Sequence, residues 1–383
     1  MRGYIRKRTK DSYLITVSLG RDPVTGKYKQ HFESVKGDKG DAQKKLTEIL
    51  RQIDTGSFVS PDKITLGDFL KRWMDDYARP RLSPRTIEGY EDVIGKHITP
   101  CLGTMPLKDL RPDHLNHHYA QQLRSGRLDG KGGLSAKSVL HQHLIMHTAL
   151  DAAVKWGLLV RNVSDAADPP SPVAQEPRIM NEREAAEFLR ALKDSPYSAI
   201  FCLFLMSGIR RSEALAIRWS DVDFGRNTIS ISRSLHHLKT GEFVYRPTKT
   251  RAGKRLVSLP APAVAILSDH RVKVAAMRRE IGTTPLKDDD LAFSRIDGSP
   301  LMPDTVTHAW IKLVRRLGLK GVRLHDARHT YASLLLRLGI SPKVVQEQLG
   351  HAQVQTTLNI YSHVLPGLKE GAAEKLGQLL AVS

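Results

Sequence analysis

A chain of 383 residues with 40% hydrophobic content is long enough for two or three domains with real cores. Its formal net charge of +19 and isoelectric point near 9.9 point to a polyanionic partner, most often nucleic acid. Two cysteines, Cys101 and Cys202, far apart in sequence, supply neither a disulfide framework nor a cysteine zinc site, which fits a reducing, cytoplasmic setting.

Residues 1–60 read as a small basic unit. The start, Met1-Arg2-Gly3-Tyr4-Ile5-Arg6-Lys7, has no hydrophobic signal core. The β-branched run Tyr13–Leu19 predicts a strand, Asp22-Pro23-Val24-Thr25-Gly26 a turn, and Tyr28–Val35 the return strand. Asp41–Ile53 then places Ala42, Leu46, Ile49, Leu50 and Ile53 on one side of a helix. Arg6, Lys7, Arg8 and Lys10 read either as phosphate contacts or as a solvated tail. Thr55-Gly56-Ser57-Phe58-Val59-Ser60-Pro61 predicts a linker.

Residues 65–166 read as helical. Phe69, Leu70 and Trp73 mark the first apolar face, Ser83-Pro84 supplies an N-cap and first helical residue, and Ser135 opens a long helix that Trp156-Gly157 closes. His114, His117, His118, His141, His143 and His147 have no cysteine or carboxylate arrangement to complete a metal site and are expected at solvated helix positions. Pro169-Pro170-Ser171-Pro172 is a stiff, extended composition and predicts a linker between two lobes.

Residues 177–383 read as a mixed α+β domain, opened by Asn181 and Glu184 as a capping box. Its longest apolar run, Ala199–Met206, is too short to span a membrane. It leads into Ser207-Gly208-Ile209-Arg210-Arg211-Ser212-Glu213 and on through Trp219 and Asp221. Strands are predicted at Thr228–Ser232 and Arg255–Leu259, with Pro247-Thr248-Lys249-Thr250-Arg251-Ala252-Gly253-Lys254 between them. Near the end stand Leu324-His325-Asp326-Ala327-Arg328-His329-Thr330, Leu349-Gly350-His351 and Thr356-Thr357-Leu358-Asn359-Ile360-Tyr361. His325 and Arg328, three apart, share one face of a helix. Gly339 and Gly350 read as left-handed caps, and Ser341-Pro342 as a helix start. His325 and His329 have the spacing of zinc ligands, but the glutamate of His-Glu-x-x-His and a third ligand are missing.

The set His-x-x-Arg, Leu-Gly-His and a tyrosine ten residues on resembles the C-terminal motif of the tyrosine recombinases, the phage-integrase family. Ser207–Asp223 resembles that family's first arginine motif. The resemblance selects Arg210, by its spacing to Glu213, over Arg211. Pro247–Arg255 resembles the family's lysine-bearing hairpin, with Lys249 the first candidate and Lys254 its rival. Residues 1–60 resemble an arm-type DNA-binding domain, and 65–166 the helical core-binding domain. The fold expected is therefore mainly α with small β-sheets: an N-terminal sheet-plus-helix unit, a helical domain and a mixed α+β catalytic domain over 177–383.

The resemblance implies a site-specific DNA recombinase that cuts and rejoins strands through a 3′-phosphotyrosine link, to integrate or excise a mobile element. Arg210, Lys249, His325, Arg328, His351 and Tyr361 would be catalytic and Glu213 supporting. Neither metal nor cofactor is implied. The implied partners are double-stranded DNA attachment sites, a homotetramer on DNA and candidate DNA-bending accessory proteins, with no membrane. The tail from Leu365 through Leu380 would pack in cis or on a neighbouring subunit. Two other classes compete, a type IB topoisomerase-like relaxing enzyme and a non-catalytic DNA-binding regulator.

Overall fold

A computed structural model describes residues 3–21, 26, 28–54, 64–173, 177–193, 195–248, 251–353, 358 and 380. It divides into two compact units, Met1–Ala174 and Gln175–Ser383.

The first unit begins with an antiparallel sheet in the order β1 (Gly3–Thr9), β2 (Ser12–Arg21), β3 (Tyr28–Lys36). Strand β1 falls where the sequence suggested a basic tail. Only Ile5 on its inner side is a large apolar residue, so its periodic signal is weak, and pairing with β2 decides its conformation. Helix α1 (Lys39–Asp54) lays Leu46 and Ile49 on Ile15 and Val17. The opposite sheet face carries the cross-strand row Tyr4–Thr16–Phe32, with Tyr4 and Phe32 exposed.

A separate helical core follows. It is built from α2 (Leu66–Trp73), α3 (Arg79–Arg81), α4 (Pro84–Val93), α5 (Thr99–Leu102), α6 (Pro112–Ser125) and α7 (Ala136–Lys155). Ser83 and Ser135 cap α4 and α7 through their side chains, as the sequence predicts. Single π-helical turns, Met74–Ala78 and Ile94–Ile98, lead into α3 and α5, just before Pro80 and Pro100. The wider turn accommodates a ring that cannot donate to the carbonyl four residues back.

The expectation of solvated histidines needs correction at two positions. His118 and His143 are buried, where His118 Nε2 meets Gln142 Oε1 at 2.9 Å and His143 Nδ1 meets the Tyr119 hydroxyl at 2.9 Å. A buried histidine is stable when such partners exist, and both rings are pushed by burial toward their neutral form.

The second unit has one large core. Helices α8 (Glu182–Ala191), α9 (Ser198–Ser207) and α10 (Arg211–Ala214) come first, and Asn181 and Glu184 form the predicted capping box on α8. Strands β4 (Val222–Asp223) and β5 (Thr228–Ile231) pair with β8 (Arg255–Ser258) in the order β4-β5-β8. Between β5 and β8 the structure adds a hairpin, β6 (Arg233–His237) with β7 (Phe243–Pro247), beyond the two strands predicted there. Leu235 is the one fully buried side chain of β6, so alternation could not announce it.

Four further helices complete the unit: α11 (Ala261–Glu280), α12 (Pro303–Arg316), α13 (Asp326–Arg337) and α14 (Pro342–Leu349). Trp310 of α12 packs on Phe188 and Phe201 at ring distances of 4.6 and 5.3 Å. Helices α13 and α14 enclose a small core of Ala332, Leu336, Val345 and Leu349. No helix among the described residues is long and apolar enough to cross a membrane.

Candidate active site

Two helix ends organise the site. Helix α9 ends at Gly208 and α14 at Gly350, with φ of 62° and 67°. Both need glycine: a Cβ on Gly208 would stand 2.6 Å from the Tyr331 ring, and one on Gly350 2.8 Å from Ala252 O. The last carbonyls of a helix have no intrahelical donor and carry its negative dipole end, so cations are favoured there.

Three arginines use this at α14, on three successive carbonyls. Arg255 Nε donates to Gln348 O at 2.7 Å, Arg328 Nη2 to Leu349 O at 2.6 Å, and Arg210 Nη2 to Gly350 O at 3.4 Å. Arg328 also donates Nη1 to Gly208 O at 2.7 Å, joining the two helix ends, and is almost fully buried. The Arg210 side chain, 36% accessible, is the open one.

Glu213 holds this cluster from below. It is 3% exposed, and its two oxygens accept from Arg210 N at 3.1 Å, Arg210 Nη1 at 2.6 Å, Arg255 Nη2 at 2.9 Å and Arg255 Nη1 at 3.3 Å. Burial pushes its carboxyl up, but Arg255, then Arg210, outweigh this and hold it below the usual carboxylate range. Arg211 turns elsewhere, donating to Pro303 O at 3.0 Å and to Thr307 at the start of α12.

His325 is the N-cap residue of α13, one turn before His329, and the two rings meet edge-on at 5.1 Å. Asp326, fully buried, fixes the turn by accepting from Arg323 N at 2.8 Å. Thr330 accepts from Met180 N at 3.0 Å, anchoring α13 to the segment before α8. His351 follows the α14 cap directly. Burial, then Arg328 and Arg210, push the His351 imidazole down to about 3. Burial and His325 push His329 down to about 4, and burial with Arg328 lowers His325. All three are therefore neutral at pH 7, each with one N–H and one lone pair.

A pocket of about 670 Å³ opens beside His325 and Arg328. Arg211, Arg315, Lys320 and Arg323 line it together with apolar residues such as Phe204 and Ile311.

The structure thus brings Arg210, Glu213, His325, Arg328 and His351 to one place. Lys249 and Tyr361 lie outside the described residues, as does the tail from Leu365 to Leu379. Lys254, the rival of Lys249, is exposed. Sequence reasoning missed Arg255. Its signal was an arginine at an inward position of an alternating strand, with Val257 buried on the same side and Leu256 facing out. Among the described residues, no group of three or more His, Cys, Asp or Glu could hold a metal ion.

Comparison with known proteins matches residues 175–367 to the phage integrase family and residues 65–123 to the phage integrase N-terminal SAM-like domain. A XerC-like tyrosine recombinase of Caldanaerobacter subterraneus subsp. tengcongensis is 26% identical, over 97% of both chains. In fold, the chain is similar to the Tn1549 transposon integrase in complex with transposon right end DNA (TM-score 0.66, 19% identity, 82% of this chain and 99% of that one). It is also similar to lambda integrase, as a dimer bound to a COC′ core site (TM-score 0.57, 20% identity, 93% of both chains).

Proposed function

The chain belongs to the phage integrase family and is a site-specific tyrosine recombinase, and we propose that Arg210, Arg328, His325, His351, Lys249 and Tyr361 carry one phosphodiester exchange. The observation that supports this division most strongly is the convergence of Arg210 and Arg328 on adjacent carbonyls of the α14 end, with His325 and His351 beside them.

Tyr361 Oη attacks the scissile phosphorus, the bond to the 5′-oxygen breaks, and a 3′-phosphotyrosine forms. Arg210 and Arg328 face the non-bridging oxygens, where charge builds in the transition state; planar, permanently charged forks suit that task. His325 and His351, neutral at pH 7, accept the tyrosine proton or donate to a phosphate oxygen. Lys249, or Lys254 in its place, gives the leaving 5′-oxygen its proton. The reverse attack by a 5′-hydroxyl from a second duplex reseals the strand and frees Tyr361, so the bond energy stays in the ester link.

The partner is double-stranded DNA at the attachment sites of a mobile element, held by a homotetramer in the cytoplasm and bent by accessory proteins. The domains divide the grip: residues 65–166 and 177–383 on the crossover site, residues 1–60 on separate arm sites. The exposed Tyr4 and Phe32 on either side of buried Thr16, with Arg6 two residues along β1, support the last assignment. The test is a plasmid carrying two attachment sites. It should give recombinant junctions, and deleting residues 1–60 should reduce integration while leaving nicking of crossover DNA largely intact. Relaxed topoisomers without recombinants would favour the topoisomerase reading.

A further inference from the structure

We propose that Arg255 is a positioning residue: by supplying the counter-charge to Glu213, it leaves the charge of Arg210 uncancelled for the scissile phosphate. The inference rests on the reading of Arg210 given above.

Glu213 is buried, and a buried carboxylate is stable only when paired. Arg210 alone could pair it, through its backbone N–H and Nη1. That pair would be neutral, and a guanidinium closed onto a carboxylate offers little net attraction to a second anion. Arg255 changes the balance. Its side chain is 6% accessible, and Nη1 and Nη2 lie parallel against the two Glu213 oxygens at 3.3 and 2.9 Å. Two guanidiniums and one carboxylate leave a net single positive charge. The exposed member of the three is Arg210.

The same guanidinium fixes where that charge sits. Nε holds Gln348 O at 2.7 Å, the first of the three carbonyls at the α14 end, and Nη1 holds Gly253 O at 3.1 Å. Arg255 therefore ties β8 to the turn that presents His351. A lysine would keep the charge but lose the fork. The position is otherwise a core position: Val257, two residues on, is fully buried. An arginine there gains nothing from burial unless Glu213 faces it.

The test measures covalent adduct formation in single turnover, on a nicked duplex carrying the direct repeat that flanks the integrated element. Arg255→Met should slow the adduct by about 10²-fold with duplex affinity little changed. Arg255→Lys should fall between the two. Glu213→Gln/Arg255→Met should recover most of the loss, because the uncompensated carboxylate is gone. Should Arg255→Met fail to fold, Glu213→Gln and Glu213→Gln/Arg255→Met remain the comparison, and they should differ by only a few-fold. Additive losses in the double variant would overturn the inference, leaving the reading of Arg210 intact. A normal adduct from Arg210→Ala would overturn that reading itself.

Discussion

The guanidinium of Arg328 donates to the carbonyl of Gly208 at 2.7 Å, across 120 residues of sequence. With its second bond, to Leu349 O, it clamps the end of α9 to the end of α14. Arg328 is thus structural here, and in the proposed exchange it has a chemical task as well. Arg328→Met leaves two helix-end carbonyls without this donor, and should cost about 1–3 kcal/mol of stability for each one left unsatisfied. It should also slow adduct formation by about 10²–10³-fold. Arg328→Lys can refill one carbonyl at most and should recover part of the stability but little of the rate. Denaturant melts and single-turnover cleavage separate the two effects; a Met variant that keeps both would contradict the clamp.

The neutral histidines make a pH prediction. His325, His329 and His351 all have folded-state values below the unfolded value of about 6.5. The unfolded chain therefore binds more protons as pH falls, and stability drops with it. This contribution is fully present above about pH 6.5. It is lost as pH falls from there toward the folded values, about 4 for His329 and about 3 for His351. The Tm of the DNA-free protein should decline from pH 7 to 5. His118, His143 and His270 are shifted the same way by burial, so the site's share is read from a variant. His351→Gln should flatten the decline, and an unchanged slope would refute the assignment.

The identity of the proton donor is tested with sulfur. An alcohol leaves poorly without a proton, so Lys249→Ala should slow cleavage of ordinary DNA by roughly 10²–10⁴-fold. A thiol has a pKa of only about 8.5, so a 5′-bridging sulfur leaves without that help. Lys249→Ala should cleave the sulfur substrate at near the wild-type rate, and Arg210→Ala should not. Rescue of Lys254→Ala instead would move the role to Lys254.

The site was legible in the sequence where its geometry is local. His325 and Arg328 sit one helical turn apart, and Gly350 marks a helix end at which only glycine fits. Ser83, Ser135 and Asn181 announced their helices because an N-cap is a contact over three residues. What was not legible depends on distant partners. Strand β1 has one large inward apolar residue and is a strand because β2 pairs with it. His118 and His143 are buried because Gln142 on α7 and Tyr119 on α6 lie opposite them. Arg255 is at home in a core strand position only because Glu213, 42 residues earlier, folds against it.

If Tyr361 is the nucleophile, it becomes covalently joined to DNA. The most direct measurement traps the adduct on a nicked attachment-site duplex, digests the protein, and sequences the peptide that retains the nucleotide by mass spectrometry. A single 3′-phosphotyrosine at Tyr361 is expected, and no adduct from Tyr361→Phe even though that variant still binds the duplex. An adduct on any other residue, or a normal yield from Tyr361→Phe, would contradict it.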